Sequence, residues 1–155
     1  MDLQDRLSRQ TADLSPYLLS LLRIILALLF IEHGSMKLFG FPPSDQFKDL
    51  QLFSLEGVAG IIEFFGGLLM LVGFLTRPTA FLMSGLMASA YFMVHAPKGF
   101  FPALNMGEAA VIYCFLFLFF SAAGAGPLSI DRMLSRAPHA EPSGLRHRPH
   151  PIPGE

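Results

Sequence analysis

Residues 57–75 read GVAGIIEFFGGLLMLVGFL, a run that is long enough to cross a bilayer and contains one charged side chain, Glu63. About 20 residues of helix span the hydrocarbon core of a membrane. A carboxylate inside that core is costly unless it is protonated, paired or directed at a polar cavity. The glycines of the run suit close helix packing around it. Glu63 therefore needs a partner from another segment, and this requirement constrains how the remaining helices are arranged.

The composition indicates a membrane protein with several spans. Of the 155 residues, 52% are hydrophobic and 15% are charged, whereas soluble domains have about 25% charged residues. The net charge of -1 gives no electrostatic reason to expect nucleic acid as a partner. The single cysteine, Cys114, excludes an intramolecular disulfide, a thiol-pair redox mechanism and a cysteine zinc site. We interpret it as a packing residue.

The apolar runs predict an all-α fold, a polytopic membrane protein built as an antiparallel four-transmembrane-helix bundle with short interfacial helices. The predicted spans are residues 17–37, 57–75, 78–96 and 106–123. Pro16 is expected to open the first span, Ser54 to cap the second, and Pro78 to follow a tight turn. Segments 44–53 and 128–134 mix charges with apolar residues at helical spacing, which predicts helices lying at the interface.

The domain organisation follows from these runs. We expect a polar cytoplasmic tail at 1–15, a membrane domain at 16–134 and a disordered cytoplasmic tail at 135–155, which is rich in Pro, Arg and His. With four spans, seven lysines and arginines fall on the side of the termini and three on the other side. Cytoplasmic loops carry the excess of positive residues. The protein is therefore predicted to be a multi-pass protein of the cell (inner) membrane with both termini in the cytoplasm.

Arg23 is the other charge deep in a predicted span. We expect Arg23 and Glu63 both to face the bundle interior. One interpretation pairs them directly, although antiparallel helices leave about 10–15 Å between their heights. In the other, Arg23 extends to the cytoplasmic headgroups while Glu63 is protonated or bonds a hydroxyl of the third span, Ser84 or Ser89.

A second polar set lies at the predicted outer end. His33 and Lys37 share a face of the first span, where interfacial anchoring explains both. His33 could also meet His95, and two histidines on different helices could ligate a haem or share a metal with Glu63 or Glu108. Histidines and carboxylates scattered over several helices are a weak signal, so no metal site is predicted.

Asn105 and Glu108 have the N-x-x-E spacing of a capping box at the start of the fourth span, and helix capping alone would explain both residues. Glu108 nevertheless enters at the end where His33 and His95 are expected. We therefore predict that Glu63 faces the interior between the first, third and fourth spans, near this outer set.

Several short segments occur in a definite order along the chain. They are Arg23, HGSMKLFG at 33–40, EFFGG at 63–67, GFLTR at 73–77, His95, FPALNMGE at 101–108 and GPLSID at 126–131. In this order they resemble the DoxX family of small four-helix membrane proteins, over residues 17–134. The resemblance implies a membrane subunit tied to redox chemistry, such as quinone-linked oxidation or the response to oxidative stress.

The first functional hypothesis is accordingly a quinone-linked redox or oxidative-stress-related membrane subunit, a candidate oxidoreductase subunit. The candidate catalytic residues are Glu63, His95 and Glu108, and the candidate cofactor-binding residues are Arg23, His33, His95 and Asn105. Quinone is the cofactor considered first and haem the second. Because the chain has no cysteine pair and no obvious nucleotide-binding loop, a redox role would need a bound quinone, a haem or a partner subunit. Membrane lipids and a second copy of the chain are further expected partners. The alternatives are a non-enzymatic scaffold or assembly subunit and a small-solute or proton pathway.

Overall fold

A computed structural model describes residues 2–136, apart from the side chains of residues 3, 6, 7, 9 and 10. Within this range every regular element is helical. The α-helices are α1 (Leu3–Phe39), α2 (Leu55–Val72), α3 (Thr76–Ala90), α4 (Pro102–Asn105), α5 (Glu108–Ala123) and α6 (Ile130–Arg136). A π-helical turn at Tyr91–His95 and a 3₁₀ turn at Ala96–Lys98 continue α3. The all-helical fold predicted from the sequence is confirmed.

Among residues 2–136, three helical stretches are long and apolar enough to cross a membrane: Thr11–Phe39, Leu55–Val72 and Thr76–Lys98. The apolar α5 has 16 residues, so its length is about 24 Å at 1.5 Å per residue. Large apolar side chains cover the outside of these helices, for example Phe81 and Phe115, which are 67% and 64% exposed. An exposed apolar surface of this extent suits lipid contact, and the architecture is that of a polytopic membrane bundle.

All four long helices contribute to one core. Its buried members are Leu26, Ala27, Phe30, Met70, Ala80, Met83, Met87, Phe117 and Phe120. Phe30 of α1 lies edge-to-face against Phe117 of α5, with ring centroids 4.6 Å apart. Aromatic pairs prefer this geometry because the positive ring edge meets the negative face. The core thus joins the two halves of the bundle, α1 with α2 and α3 with α5, which are its most extensively packed helix pairs.

The glycines of α2 allow α1 to approach closely, as the sequence predicted. A Cβ at Gly67 would lie 2.8 Å from a side-chain carbon of Ile31 and 3.1 Å from the carbonyl oxygen of Ala27. Any larger residue would therefore push the two helices apart. This close approach brings the end of α1 against the first half of α2.

One predicted helix start is wrong, and another is close to its prediction. The first span does not begin after Pro16, because α1 starts at Leu3 and carries Pro16 in its interior. Residues 3–15 contain three Leu, two Gln and two Arg, which favour helix strongly enough to continue it past the proline. The third span begins at Thr76, within two residues of its prediction and with Pro78 in the first turn. Both carboxylate oxygens of Asp131 accept hydrogen bonds from the amides of Leu75 and Thr76 and cap this helix. This cap comes from 55 residues away in the chain.

One of the two predicted interfacial helices is confirmed. The segment 128–134 contains α6, as predicted. The segment 44–53 forms only a 3₁₀ turn at Asp45–Phe47. Isolated turns follow it, with the amide of Ser54 donating to the carbonyl of Gln51, so no helical ladder develops. Ser54 does cap α2, because its hydroxyl accepts from the amide of Gly57 at 3.1 Å. The disorder predicted for 135–155 falls almost wholly outside the described residues.

Candidate functional site

The partner of Glu63 is Lys37. The Lys37 Nζ lies 2.7 Å from Oε1 and 2.8 Å from Oε2 of Glu63. Both side chains are largely withdrawn from solvent, with 13% and 6% of their surface accessible. Lys37 is in the last turn of α1 and Glu63 is at the middle of α2, so the antiparallel register of the two helices brings the charges together. The ion pair satisfies the requirement that a buried carboxylate be paired.

Gly60 makes this ion pair sterically possible. A Cβ at position 60 would lie 2.8 Å from the Cβ and 3.3 Å from the Cδ of Lys37. The lysine stem therefore runs over the bare backbone of α2 to reach Glu63, one turn further along. The Lys37 ammonium also lies 5.7 Å from the ring centroid of Phe47, within the range of a cation–π contact. Backbone, carboxylate and ring together determine where the ammonium group sits.

The ion pair lines a cavity of about 210 Å³ between the end of α1, α2 and the end of α3. Polar groups at its wall include Lys37, Glu63 and His95. Much of the remaining wall is apolar and includes Leu86, Met87 and Met93. A small, mainly apolar cavity with a few convergent polar groups is the usual form of a ligand site. The prediction that Glu63 and His95 belong to one neighbourhood agrees with this placement.

His95 is held in one orientation by its neighbours. Its Nδ1 lies 3.0 Å from the backbone carbonyl oxygen of Asn105. Since a carbonyl oxygen only accepts, Nδ1 must carry the proton, and in the neutral ring Nε2 is then the acceptor. The ring also stacks on Tyr91 with centroids 6.5 Å apart. Both rings lie in the π-helical turn, a form that often occurs at functional sites.

Asn105, whose carbonyl binds His95, is itself fixed by hydrogen bonds of its side chain. Its side chain is buried, donates from Nδ2 to the carbonyl of Gly99 at 2.7 Å and accepts at Oδ1 from the amide of Gly107 at 2.8 Å. The capping-box prediction is wrong, because Asn105 ends α4 and Gly107 is the N-cap of α5. The left-handed conformation of Met106 separates the two helices. Asn105 thus reaches the cavity only through the carbonyl that binds His95.

Two predicted members of the outer set lie elsewhere. His33 is exposed and makes an edge contact with the ring of Phe30 at 6.4 Å. Glu108 is exposed in the first turn of α5. Neither residue lines the cavity, so the structure does not bring His33 to His95. Within residues 2–136, no group of three or more His, Cys, Asp or Glu side chains is placed to hold a metal ion.

Arg23 lies at the other end of the bundle and does not contact Glu63. Its side chain is fully buried and donates only to backbone carbonyls. Nε donates to Ala125 at 2.9 Å, Nη1 to Met70 and to Leu71, and Nη2 to Leu128 at 2.6 Å. The predicted Arg23–Glu63 pair is therefore absent. The alternative in which Arg23 extends to the headgroups is also wrong, because its donors are occupied inside the protein.

The hydroxyl partners considered for Glu63 are also occupied elsewhere. Ser84 donates to the carbonyl of Cys114 at 2.9 Å, and Ser89 donates to the carbonyl of Gly85 at 2.9 Å. Sequence reasoning placed Lys37 at the correct end of α1 but did not pair it with Glu63. The available signal was the lysine stem, which can reach inward along a helix as well as outward.

Comparison with known proteins agrees with the architecture. The family model described as DoxX matches residues 18–96. An uncharacterized protein of Haemophilus influenzae is 44% identical over 124 residues, which cover 75% of this chain and 90% of that protein. The inner membrane protein YqjF of Escherichia coli is 32% identical over 123 residues, covering 74% of this chain and 89% of that protein. No solved structure matches the chain significantly. The family match ends at Ala96, just beyond His95, and so includes Lys37, Glu63 and His95 of the cavity.

Proposed function

The chain belongs to the DoxX family of integral membrane proteins, and from this premise we propose that it is a quinone-binding redox subunit of the inner membrane. The proposed headgroup site is the cavity lined by Lys37, Glu63 and His95. The observation that carries the proposal is the paired carboxylate and ammonium at the wall of a mainly apolar cavity. Intramembrane ionisable groups in such a setting are expected to serve ligands or protons.

The polar groups of the cavity match the chemistry of a quinone ring. A quinone presents two carbonyl oxygens that accept hydrogen bonds, and the ammonium of Lys37 donates. The corresponding quinol presents two hydroxyl groups that donate, and Nε2 of the neutral His95 accepts. Glu63 can take a proton that a quinol releases, with Lys37 stabilising its charge when the proton leaves again. One site thereby serves both oxidation states of the ligand.

The size of the cavity favours a ring rather than a complete lipid-tailed molecule. Its volume is about 210 Å³, below the ~300–1,000 Å³ of typical drug-sized pockets. Met93 and Val94 line it and are 57% and 48% exposed on the outside of the bundle. We propose that the ring occupies the cavity and that the isoprenoid tail leaves past these side chains into the lipid.

Oxidation of a quinol releases two protons and two electrons, and each needs an acceptor. Glu63 and His95 are the proposed proton acceptors. We propose that the electrons pass to a redox centre on a partner protein, because a single cysteine cannot form a redox-active thiol pair. The proposed unit of function is therefore this chain together with an electron-carrying partner.

The test is quinone binding by the full chain, purified in mild detergent. A lipid extract of the purified protein should contain quinone, and a short-tailed quinone analogue should bind on titration. Glu63→Gln should weaken binding about tenfold or more, because Lys37 is left without its counter-ion and no longer holds the same position. Glu108→Gln is the matched control, since this exposed carboxylate lies outside the cavity and its loss should leave binding unchanged.

The control outcomes separate the hypotheses. Absence of quinone from the extract together with no binding on titration would overturn the proposal. Equal weakening by Glu63→Gln and Glu108→Gln would also contradict it, because the effect would then not depend on the cavity. A scaffold role predicts that partner proteins co-purify equally with the wild-type and Glu63→Gln chains while quinone binds to neither.

A further inference from the structure

The end of the bundle opposite the Lys37–Glu63 cavity carries an open groove of about 600 Å³. It is lined by the first turn of α3, Pro16 of α1, the end of α5 with the segment that follows it, and α6. The candidate spans end at Val72 and begin again at Thr76, so the groove lies where the bundle leaves the hydrocarbon. No residue that lines the Lys37–Glu63 cavity also lines this groove.

Arg77 is oriented in this groove by the end of α5. Its Nη1 donates to the carbonyl of Ser121 at 3.1 Å and to that of Ala122. Its Nε and Nη2 donate to no residue within the described part of the chain. This edge of a guanidinium group binds two oxygens of a phosphate or carboxylate at once. The two fixed hydrogen bonds therefore leave the phosphate-binding edge of Arg77 available.

Gly124 keeps space beside that edge. A Cβ at this position would lie 3.4 Å from Nη2 and 3.6 Å from Nε of Arg77. The Cβ of any other residue would therefore contact the two free donors of Arg77. The backbone at position 124 thus leaves the guanidinium edge accessible from the groove.

The groove has an excess of positive charge. Arg132 also lines it, is exposed, and its side chain makes no hydrogen bond to another described residue. Asp131 is the opposing charge, but both its oxygens accept from the amides of Leu75 and Thr76 at 2.9 Å. The N-terminus of α3 thereby neutralises part of that carboxylate. Two guanidinium groups remain for an anion.

The surroundings point to a lipid as the source of the anion. Next to Arg132, α6 exposes Ile130, Met133 and Leu134, which are 36%, 72% and 59% accessible. Apolar side chains beside arginines on a helix at the membrane boundary are typical of an interfacial helix. We propose that the groove binds the phosphate group of an anionic phospholipid, held by the Nε–Nη2 edge of Arg77 and by Arg132, with the acyl chains against the apolar side of α6.

The experiment measures lipid retention by the full chain, solubilised in detergent, using native mass spectrometry. Phosphatidylglycerol and phosphatidylcholine of identical acyl chains are titrated in parallel, and glycerol phosphate is the soluble competitor. Phosphatidylglycerol should bind more tightly. Arg77→Gln and Arg132→Gln should each weaken its binding about fivefold, since each lysine or arginine near a lipid surface contributes a comparable attraction.

Arg136→Gln is the matched control, because Arg136 is on the same helix and exposed but does not line the groove. It should retain wild-type binding. Arg77→Lys tests the shape of the site, since it keeps the charge and loses the two-donor edge; it should bind more weakly than wild type. Arg132→Gln removes no side-chain hydrogen bond among the described residues, so it remains informative if the Arg77 variants unfold.

Three results would overturn the proposal. One is equal affinity for phosphatidylglycerol and phosphatidylcholine. Another is an Arg136→Gln effect as large as that of Arg132→Gln, which would indicate only general attraction to charge. The third is displacement of phosphatidylglycerol by equimolar glycerol phosphate, which would identify a site for a soluble phosphate rather than for a lipid.

Discussion

The two ends of the bundle each withdraw a positively charged side chain from solvent, but the two side chains have different kinds of partner. Arg23 donates to four backbone carbonyls and has no accessible surface. Lys37 has one carboxylate partner and lies at the wall of a cavity. A fully buried guanidinium group with four hydrogen bonds to fixed carbonyls stabilises the fold but is not accessible to a ligand. An ammonium group beside a cavity can exchange its partner, so the functional site is expected at the Lys37 end.

The fold at the Arg23 end depends on that guanidinium group because it joins three segments. It binds the last carbonyls of α2 and two carbonyls of the segment between α5 and α6. Helix ends leave carbonyl groups without an intrahelical partner, and buried carbonyls need another donor. Arg23 supplies donors to several of them at once.

Replacing Arg23 with Met should therefore have the largest effect on stability. The carbonyls of Leu71, Ala125 and Leu128 would lose the guanidinium donor in buried or partly buried positions, each at a cost of about 1–3 kcal/mol, so we expect a loss of about 3 kcal/mol or more. The measurement is thermal unfolding of the detergent-solubilised chain, followed by size-exclusion chromatography after heating. Arg23→Lys should recover little, because an ammonium group cannot present donors in the same planar array.

Arg77→Met is the control for this prediction. Arg77 also donates to carbonyls at a helix end, those of Ser121 and Ala122, but it is exposed. Water can replace it, so its loss should lower the unfolding temperature much less. If Arg77→Met and Arg23→Met were equally harmful, burial would not be the property that distinguishes the two arginines.

The Lys37 end can be disturbed without removing any charge. Gly60→Ala would place a methyl group 2.8 Å from Cβ of Lys37, which should displace the lysine stem and weaken its contact with Glu63. Overpacking of this kind costs about 1–3 kcal/mol. Quinone binding should fall together with stability, because the ammonium group moves. Both are measured on the same preparation, by titration and thermal unfolding.

Gly85→Ala is the matched control on α3, since no atom lies within 4 Å of a Cβ at that position. Alanine in a helix is favoured over glycine by roughly 0.5–1 kcal/mol, so this variant should be neutral or slightly stabilised and should bind quinone normally. A Gly60→Ala protein with unchanged binding would show that the position of Lys37 is not critical to the site.

The sequence predicts the helices better than it predicts the contacts between them. Apolar runs of about 20 residues have few structural alternatives, so the all-helical bundle and the tight α2–α3 turn could be predicted. The end of α1 at Phe39 was also within two residues of its prediction. The residue that caps α3 could not be predicted, because Asp131 lies far away in the chain.

The residues of the candidate cavity could be predicted only in part, because the contacts between helices are not visible in the sequence. Glu63 and His95 were identified because a charge or an imidazole in an apolar run is conspicuous. Lys37 was assigned to the interface because a lysine near the end of a span usually points outward. The partner of Arg23 was sought among acidic residues, whereas its real partners are backbone carbonyls, which every residue has and which no sequence pattern marks.

The smallest predicted effect tests whether the two ends are independent. Asp131→Ala removes the side-chain cap of α3, which typically costs about 1 kcal/mol, so the unfolding temperature should fall modestly. Quinone binding should not change, because Asp131 lies at the end opposite the Lys37–Glu63 pair. If Asp131→Ala instead weakened quinone binding as strongly as Glu63→Gln, α3 would be transmitting a change from its first residue to His95 beyond its end. The Arg23 end would then be part of the functional apparatus and not only of the scaffold.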